Sequence, residues 1–225
     1  MKIVRFKTQT GIHWGLLDEA QDEIREIAGG LRAWAPRVAN GEGVCALPCN
    51  GRRHRMEDVE LLAPIEDDAR IFESGGFAMV NPVAAARAGR APSHGARERA
   101  VLGVAIIGAP LAGRQNPLRS VFGYAAAVAE RAGPTPGLER RFVAFAPVVD
   151  TRESFGDGSP DLGAIWTRSF GHAPVRLEAC ADRLAKDLLD LDAVWTLRPG
   201  DVLLTDLSAA PAAVASPPKP ESAAA

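Results

Sequence analysis

Thr196-Leu197-Arg198-Pro199-Gly200-Asp201-Val202-Leu203-Leu204-Thr205 runs a proline-glycine turn straight into an apolar β-forming stretch. Proline fixes its own φ and lacks an N–H, and glycine reaches conformations that other residues avoid, so Pro199-Gly200 reverses the chain and Val202 to Thr205 leaves it as a strand. On the upstream side, Leu184, Leu188 and Leu191 recur at spacings of four and three within Ala181 to Leu191, with Asp182, Lys186, Asp187 and Asp190 between them. That periodicity predicts an amphipathic helix. On the downstream side, residues from Ala209 onward read AAPAAVASPPKPESAAA. Without large side chains to offset ordering entropy, this stretch is expected to be a disordered tail.

Further outward, Ile3 to Lys7, His13 to Leu17 and Ile24 to Ile27 alternate apolar and polar residues around turns, which predicts three short strands. A short helix is expected around Leu31 to Val38, cut by Pro36 and followed by a loop to Asn50. Val59 to Glu66 and Arg70 to Glu73 read as strands, Val80 to Ala88 as a helix with Pro82 in its first turn, and residues 89–99 as a mobile loop. Ala100 to Gly108 is a continuous apolar run, the mark of a buried strand. Asn116 to Arg119 begins a helix leading into Val121 to Val128, where helix and strand both fit. Arg141 to Val149 reads as a strand, and Gly163 to Arg168 with Pro174 to Glu178 as a hairpin-like pair.

The 225 residues are enough for one medium domain with a small companion, and 26 Lys and Arg against 28 Asp and Glu leave a formal charge of -2. No dominant positive field exists, which argues against nucleic acid and anionic membranes as partners. Three cysteines cannot build a disulfide framework, no leader is expected from the opening MKIVRFK, and no apolar run is long enough to cross a bilayer. A cytoplasmic chain is expected.

Cys45, Cys49 and His54 have the flavour of a zinc site, but no second Cys/His pair follows, and loop cysteines are the plainer account. The Gly-rich stretches lack phosphate-binding spacing, and His13, His54, His94 and His172 stand without a nucleophile signature, so each reads as a surface or turn residue. His94, in the 89–99 loop, is the one to test first. Asp150, Glu153, Asp157 and Asp161 read as a solvated acidic loop rather than a cation site.

The order of segments carries more than any one of them. Met1 to Phe6 with Trp14-Gly15, then Leu61 to Ile65, Ile71-Phe72 with Gly75, Val104 to Gly108, Val121 to Tyr124, Phe145-Ala146-Pro147 and finally Thr196 to Thr205 together resemble the fumarylacetoacetate hydrolase superfamily. The resemblance implies an α+β, mostly β fold, a mixed sandwich or roll with a small N-terminal domain and usually dimeric. The expected division is 1–58, 59–208 and the 209–225 tail. It also implies metal-assisted cleavage, decarboxylation, hydration or isomerisation of keto and enol acids, in which a divalent cation on three carboxylates spreads enolate charge.

Registered on Ile106-Ile107-Gly108, two family carboxylates fall at Ala100 and Leu102, and registered on Gly123-Tyr124 the third falls at Ala129, with Glu130 beside it on the opposite strand face. The lid histidine falls near Asn81, and Arg140 stands where the family has a lysine. The resemblance therefore implies neither metal nor other cofactor here. It leaves Arg140, Tyr124, Thr205, Glu130, Asn81 and His94 as substrate-binding candidates, and no catalytic residue is assigned. Three readings follow. The first is a metal-independent isomerase, cyclase or decarboxylase acting on a keto/enol acid or polyketide-like substrate. The second is a catalytically inactive partner of an active homologue, in a homo- or heterodimer. The third is an unrelated β-rich binding module. Packing of Phe77, Phe122 and Leu102 into the pocket would favour the second over the first.

Overall fold

Alternation at the start of the chain produces three antiparallel strands, β1 (Lys2–Thr8), β2 (Gly11–Asp18) and β3 (Glu23–Ile27), as the sequence predicts. The structure is a computed structural model that describes residues 1–73, 79–80, 99–111, 116–132, 140–156, 159–170 and 180–207. The tail and the loop of residues 89–98 lie outside these residues. Gly15 is obligatory in β2, because a Cβ there would lie 2.2 Å from Ile24 Cγ2 and 3.0 Å from the Phe6 ring.

Helix α1 (Leu31–Ala39) continues through Pro36 rather than ending at it, held by its buried face of Leu31, Trp34, Ala35, Val38 and Ala39. Gly30 supplies no cap of its own, and the Glu66 carboxylate, remote in sequence, accepts the Leu31 N–H at 2.6 Å.

The remaining strands are β4 (Cys49–Arg55), β5 (Glu60–Leu62), β6 (Ile71–Glu73), β7 (Met79–Val80), β8 (Arg99–Ile107), β9 (Val121–Ala132), β10 (Arg140–Phe145), β11 (Val148–Thr151) and β12 (Val202–Asp206). Among the described residues they form one 12-stranded sheet in the order β4-β3-β2-β1-β11-β9-β8-β12-β6-β7, with β10 also on β9 and β5 also on β1. All pairs are antiparallel except β6 with β12. Proline cannot donate to a ladder, and the chain breaks at Ala146-Pro147 so that β10 and β11 share one edge of the long β9.

The sheet separates two apolar cores. On one face, Leu102, Val104 and Ile106 of β8 pack with Ala125, Ala127 and Ala129 of β9 and with α1. On the other, Ala105 and Ile107 pack with Tyr124, Ala126 and Val128 beneath two further helices, α2 (Leu162–Phe170) and α3 (Cys180–Asp192). A bulge between Ile106 and Ile107 leaves Phe122 without a partner on β8 and shifts the alternation, so Phe122 and Ala125 share the first face.

Several expectations change. Gly163 to Arg168 belongs to α2, not to a hairpin: Leu162, Ile165 and Trp166 have helical spacing, and Asp161 Oδ1 caps the Ala164 N–H at 2.8 Å. The remainder of that expected pair, Pro174 to Glu178, lies outside the described residues. Val80 pairs with Ile71 in β7 instead of opening a helix, and the rest of that helix, residues 81–88, lies outside too. Asn116 to Arg119 makes only a 3-10 turn, with Asn116 Oδ1 accepting the Leu118 N–H at 2.9 Å, before β9 begins as a strand. No described helix is long and apolar enough to cross a membrane.

Candidate functional site

Tyr124 lies on β9, level with Ala105 of β8 and Asp150 of β11, and is fully buried beneath α2. Thr205 lies on the same face, level with Gly103, and donates its hydroxyl proton to Asp187 Oδ2 of α3 at 3.0 Å. Arg140 and Glu130 are placed by backbone pairing: Arg140 opposite Ala132, and Glu130 opposite Arg99 and Phe142. Six residues of extended chain, about 20 Å, separate Glu130 from Tyr124 along β9. The structure thus does not gather Tyr124, Glu130 and Arg140 at one end of the sheet. Asn81, His94 and Phe77 lie outside the described residues.

The positions that the resemblance assigns to cation ligands are directly across from one another. Ala100 pairs with Ala129, and Leu102 with Ala127. The described ladder is unbroken through Ala129 and Glu130 on both flanks, so no bulge there brings Glu130 into the Ala129 position. Leu102 and Ala129 are buried in the apolar cluster that holds Val104, Ala127, Val143 and Phe145. A hard cation requires oxygen donors, and these side chains present none, so the positions do not fit the ion. Among the described residues no three His, Cys, Asp or Glu side chains are grouped to hold a metal.

Polar chemistry collects instead at the junction of β9, β11, the 3-10 turn of Arg152–Phe155 and α2. Asp150 is buried, and Arg168 of α2 donates to its Oδ2 at 2.6 Å. Burial pushes the Asp150 carboxyl above its usual value, only partly opposed by the charges of Arg168, Lys2 and the amino terminus. Burial likewise pushes the Tyr124 phenol up, against the nearby Arg152 charge, so the phenol keeps its proton. The Tyr124 and Phe155 rings meet edge to face at 5.8 Å, and the Trp166 and Phe170 rings lie 5.0 Å apart. Arg152 Nε and Trp166 Nε1 are buried without a hydrogen-bond partner among the described residues. An unmatched buried donor costs about 1–3 kcal/mol, so this junction holds two donors ready for an acceptor.

The acidic stretch is solvent-facing only in part: Glu153 and Asp161 are exposed, whereas Asp150 is buried. Asp150 is paired in β11, Glu153 Oε2 accepts the Val44 N–H at 3.0 Å, and Asp161 caps α2; Asp157 lies outside the described residues. Sequence reading missed Arg152, Trp166 and Arg168, and the usable signal was the Asp161 cap, which reveals α2 and turns its residues toward Asp150.

A second cluster joins β2, β3 and β4. The buried Glu26 accepts from His54 Nε2 at 2.9 Å on Oε2 and from the Asn50 amide on Oε1, and His13 Nδ1 lies 3.2 Å from that same Oε1. Both imidazoles rest against Phe6, with ring centroids 5.7 and 5.1 Å away. His13 and His54 are thus tied to a buried carboxylate rather than free at the surface, while Cys45 and Cys49 are exposed thiols. Burial raises the Glu26 carboxyl, but the His54 and Asn50 hydrogen bonds and the His13 and Arg52 charges outweigh it and hold it below its usual 4.5. A lowered folded value gives stability that is present above the unfolded value and lost as pH falls through the folded one. Glu26→Gln is expected to flatten that acid limb in urea unfolding and to cost about 1–2 kcal/mol at neutral pH. An acid limb as steep as wild type would contradict the assignment.

Residues 1–64 match the family described as Rv2993c-like, N-terminal. No curated protein matches the chain. Among solved structures it is similar to maleylpyruvate hydrolase from Sphingobium sp. SYK-6 in complex with manganese(II) ion and pyruvate, at 19% identity and TM-score 0.56 over 92% of this chain and 88% of that one. It is also similar to 5-carboxymethyl-2-hydroxymuconate delta-isomerase from Mycobacterium smegmatis, at 17% identity and TM-score 0.56 over 92% and 88%. A third is 2-hydroxyhepta-2,4-diene-1,7-dioate isomerase from Mycobacterium marinum, at 18% identity and TM-score 0.54 over 91% and 86%. A coincidental β-rich module is thereby set aside. The opening 64 residues match the Rv2993c-like N-terminal family, and the chain has the α+β, mostly β fold of the fumarylacetoacetate hydrolase superfamily.

Proposed function

We propose that this chain is a fumarylacetoacetate hydrolase-like protein that has lost the family's cation chemistry and serves as a non-catalytic partner of an active relative. The observation that supports this reading is the packing of Leu102, Phe122 and Ala129 in one buried apolar cluster. Two of these residues stand where an open pocket would need carboxylates, and the side chains fill the space instead. The partner is a homologous subunit, and the shared acid chemistry belongs to that subunit.

A second reading, a metal-free enzyme acting on a keto or enol acid, is favoured by the unmatched donors of Arg152 and Trp166. The two readings separate on turnover. Millimolar Mg²⁺ or Mn²⁺ is expected to leave the melting temperature of the purified chain unchanged, because nothing favours the folded state by binding the ion there. A clear upward shift would overturn both. The chain alone is expected to leave keto- and enol-acid substrates untouched, with or without chelator, and to form a mixed oligomer in native mass spectrometry when co-expressed with a metal-binding superfamily member. Turnover that survives chelation would establish the second reading in place of the first.

A further inference from the structure

We infer that the junction of β9, β11 and α2 is a binding site for an organic carboxylate with an apolar body. It lies on the sheet face opposite Leu102 and Ala129, and so is distinct from the position at which relatives of this fold are expected to hold a cation.

Two buried N–H groups carry the argument. Arg152 Nε and Trp166 Nε1 come from separate elements, and neither has an acceptor among the described residues. Trp166 is 9% exposed, so water does not readily replace the missing partner. Both belong to the surroundings of Tyr124: the Arg152 charge acts on its phenol, and Trp166 packs in the same cluster. The neighbouring Arg168 is already matched by Asp150, and Lys2 by Glu19. Arg152 is therefore the guanidinium that a ligand's negative charge would meet, and a carboxylate oxygen is the acceptor that such a donor lacks.

The neighbouring rings set the rest of the ligand. Tyr124, Phe155, Trp166 and Phe170 present rings, and Phe155 and Phe170 are only partly covered where they pack on the core. An aromatic or acyl body of the ligand would meet apolar surface at these partly covered rings while its carboxylate meets the donors. Asp150 on the same side disfavours small multiply charged anions, which bring charge without apolar area.

Benzoate and inorganic phosphate are the probes. Benzoate is expected to raise the melting temperature of the full chain and to change tryptophan emission, whereas phosphate at equal ionic strength does neither. Trp166→Phe keeps the ring and removes the N–H. It is expected to weaken benzoate binding about tenfold, without lowering the stability of the ligand-free protein, since only an unmatched donor is lost. Arg152→Met is expected to weaken binding by at least about tenfold, and it decides the matter should Trp166→Phe fail to fold. The inference is overturned if benzoate has no effect, if phosphate binds as tightly, or if Arg152→Met binds benzoate like wild type. None of these outcomes bears on the metal titration, which reports on the other face.

Discussion

Arg70→Met is expected to lower the free energy of unfolding by about 3 kcal/mol, the lower end for removing one partner of a buried ion pair. The Asp201 carboxylate is 1% exposed in its side chain, and Arg70 grips it with Nε at 2.9 Å from Oδ1 and Nη2 on Oδ2. The same Nη2 donates to Thr196 O at 2.8 Å, and the Arg198 N–H donates to Asp201 Oδ2 at 2.7 Å. The pair therefore fixes both ends of the turn that feeds β12, and ties it to the residue before β6, the strand lying parallel to β12. The Asp201 hydrogen bond strengthens the hold of Arg70 on its proton, so the cation is present at every accessible pH. Without the guanidinium a charge stays sealed in the core. Adding Asp201→Asn to Arg70→Met should recover part of the loss, and the double-mutant cycle in urea unfolding measures the coupling. A single-variant loss under about 1 kcal/mol would mean that the pair is ornamental.

Trp34→Ala is expected to cost about 3–5 kcal/mol, the range for deleting a large buried aromatic. Trp34 stands edge-on to Trp14 of β2 with ring centroids 5.7 Å apart and to Phe122 of β9 at 5.2 Å. It is the side chain through which α1 reaches both the opening strands and the long central one. Trp34→Phe retains part of that packing and should lose less than half as much. Chemical denaturation of both variants checks this, and equal, small losses would show that α1 is held by its neighbours alone.

The legible parts of the fold are those whose pattern is local. Leu184, Leu188 and Leu191 disclose α3, and the alternation of β1 to β3 discloses itself, since period alone decides which side chains are buried. β4 escaped because its residues, Cys49 to Arg55, are almost all exposed and carry no apolar alternation. α2 escaped because Gly163 and two aromatic residues weaken its helical signature, which leaves the Asp161 cap as the usable sign. The absence of carboxylates at Leu102 and Ala129 was readable, since Ile106-Ile107-Gly108 anchors the first position and Gly123-Tyr124 the second. The junction around Trp166 was not, because Asp150 and Arg168 are 18 residues apart and meet only after β11 and α2 form. The Glu26 cluster similarly needs the pairing of Ile24 with His54 before its three strands bring their side chains together.

Among the described residues the outermost strand at one end of the sheet order is β4, with Arg52, Arg53 and Arg55 along its length. An open strand edge is a template on which other chains can stack and fibrillate, and a row of guanidinium groups makes that docking repulsive and wet. The same residues that hide β4 from a hydrophobicity scan thus act as gatekeepers against amyloid-like growth. Replacing them by threonine would preserve β propensity while inviting aggregation.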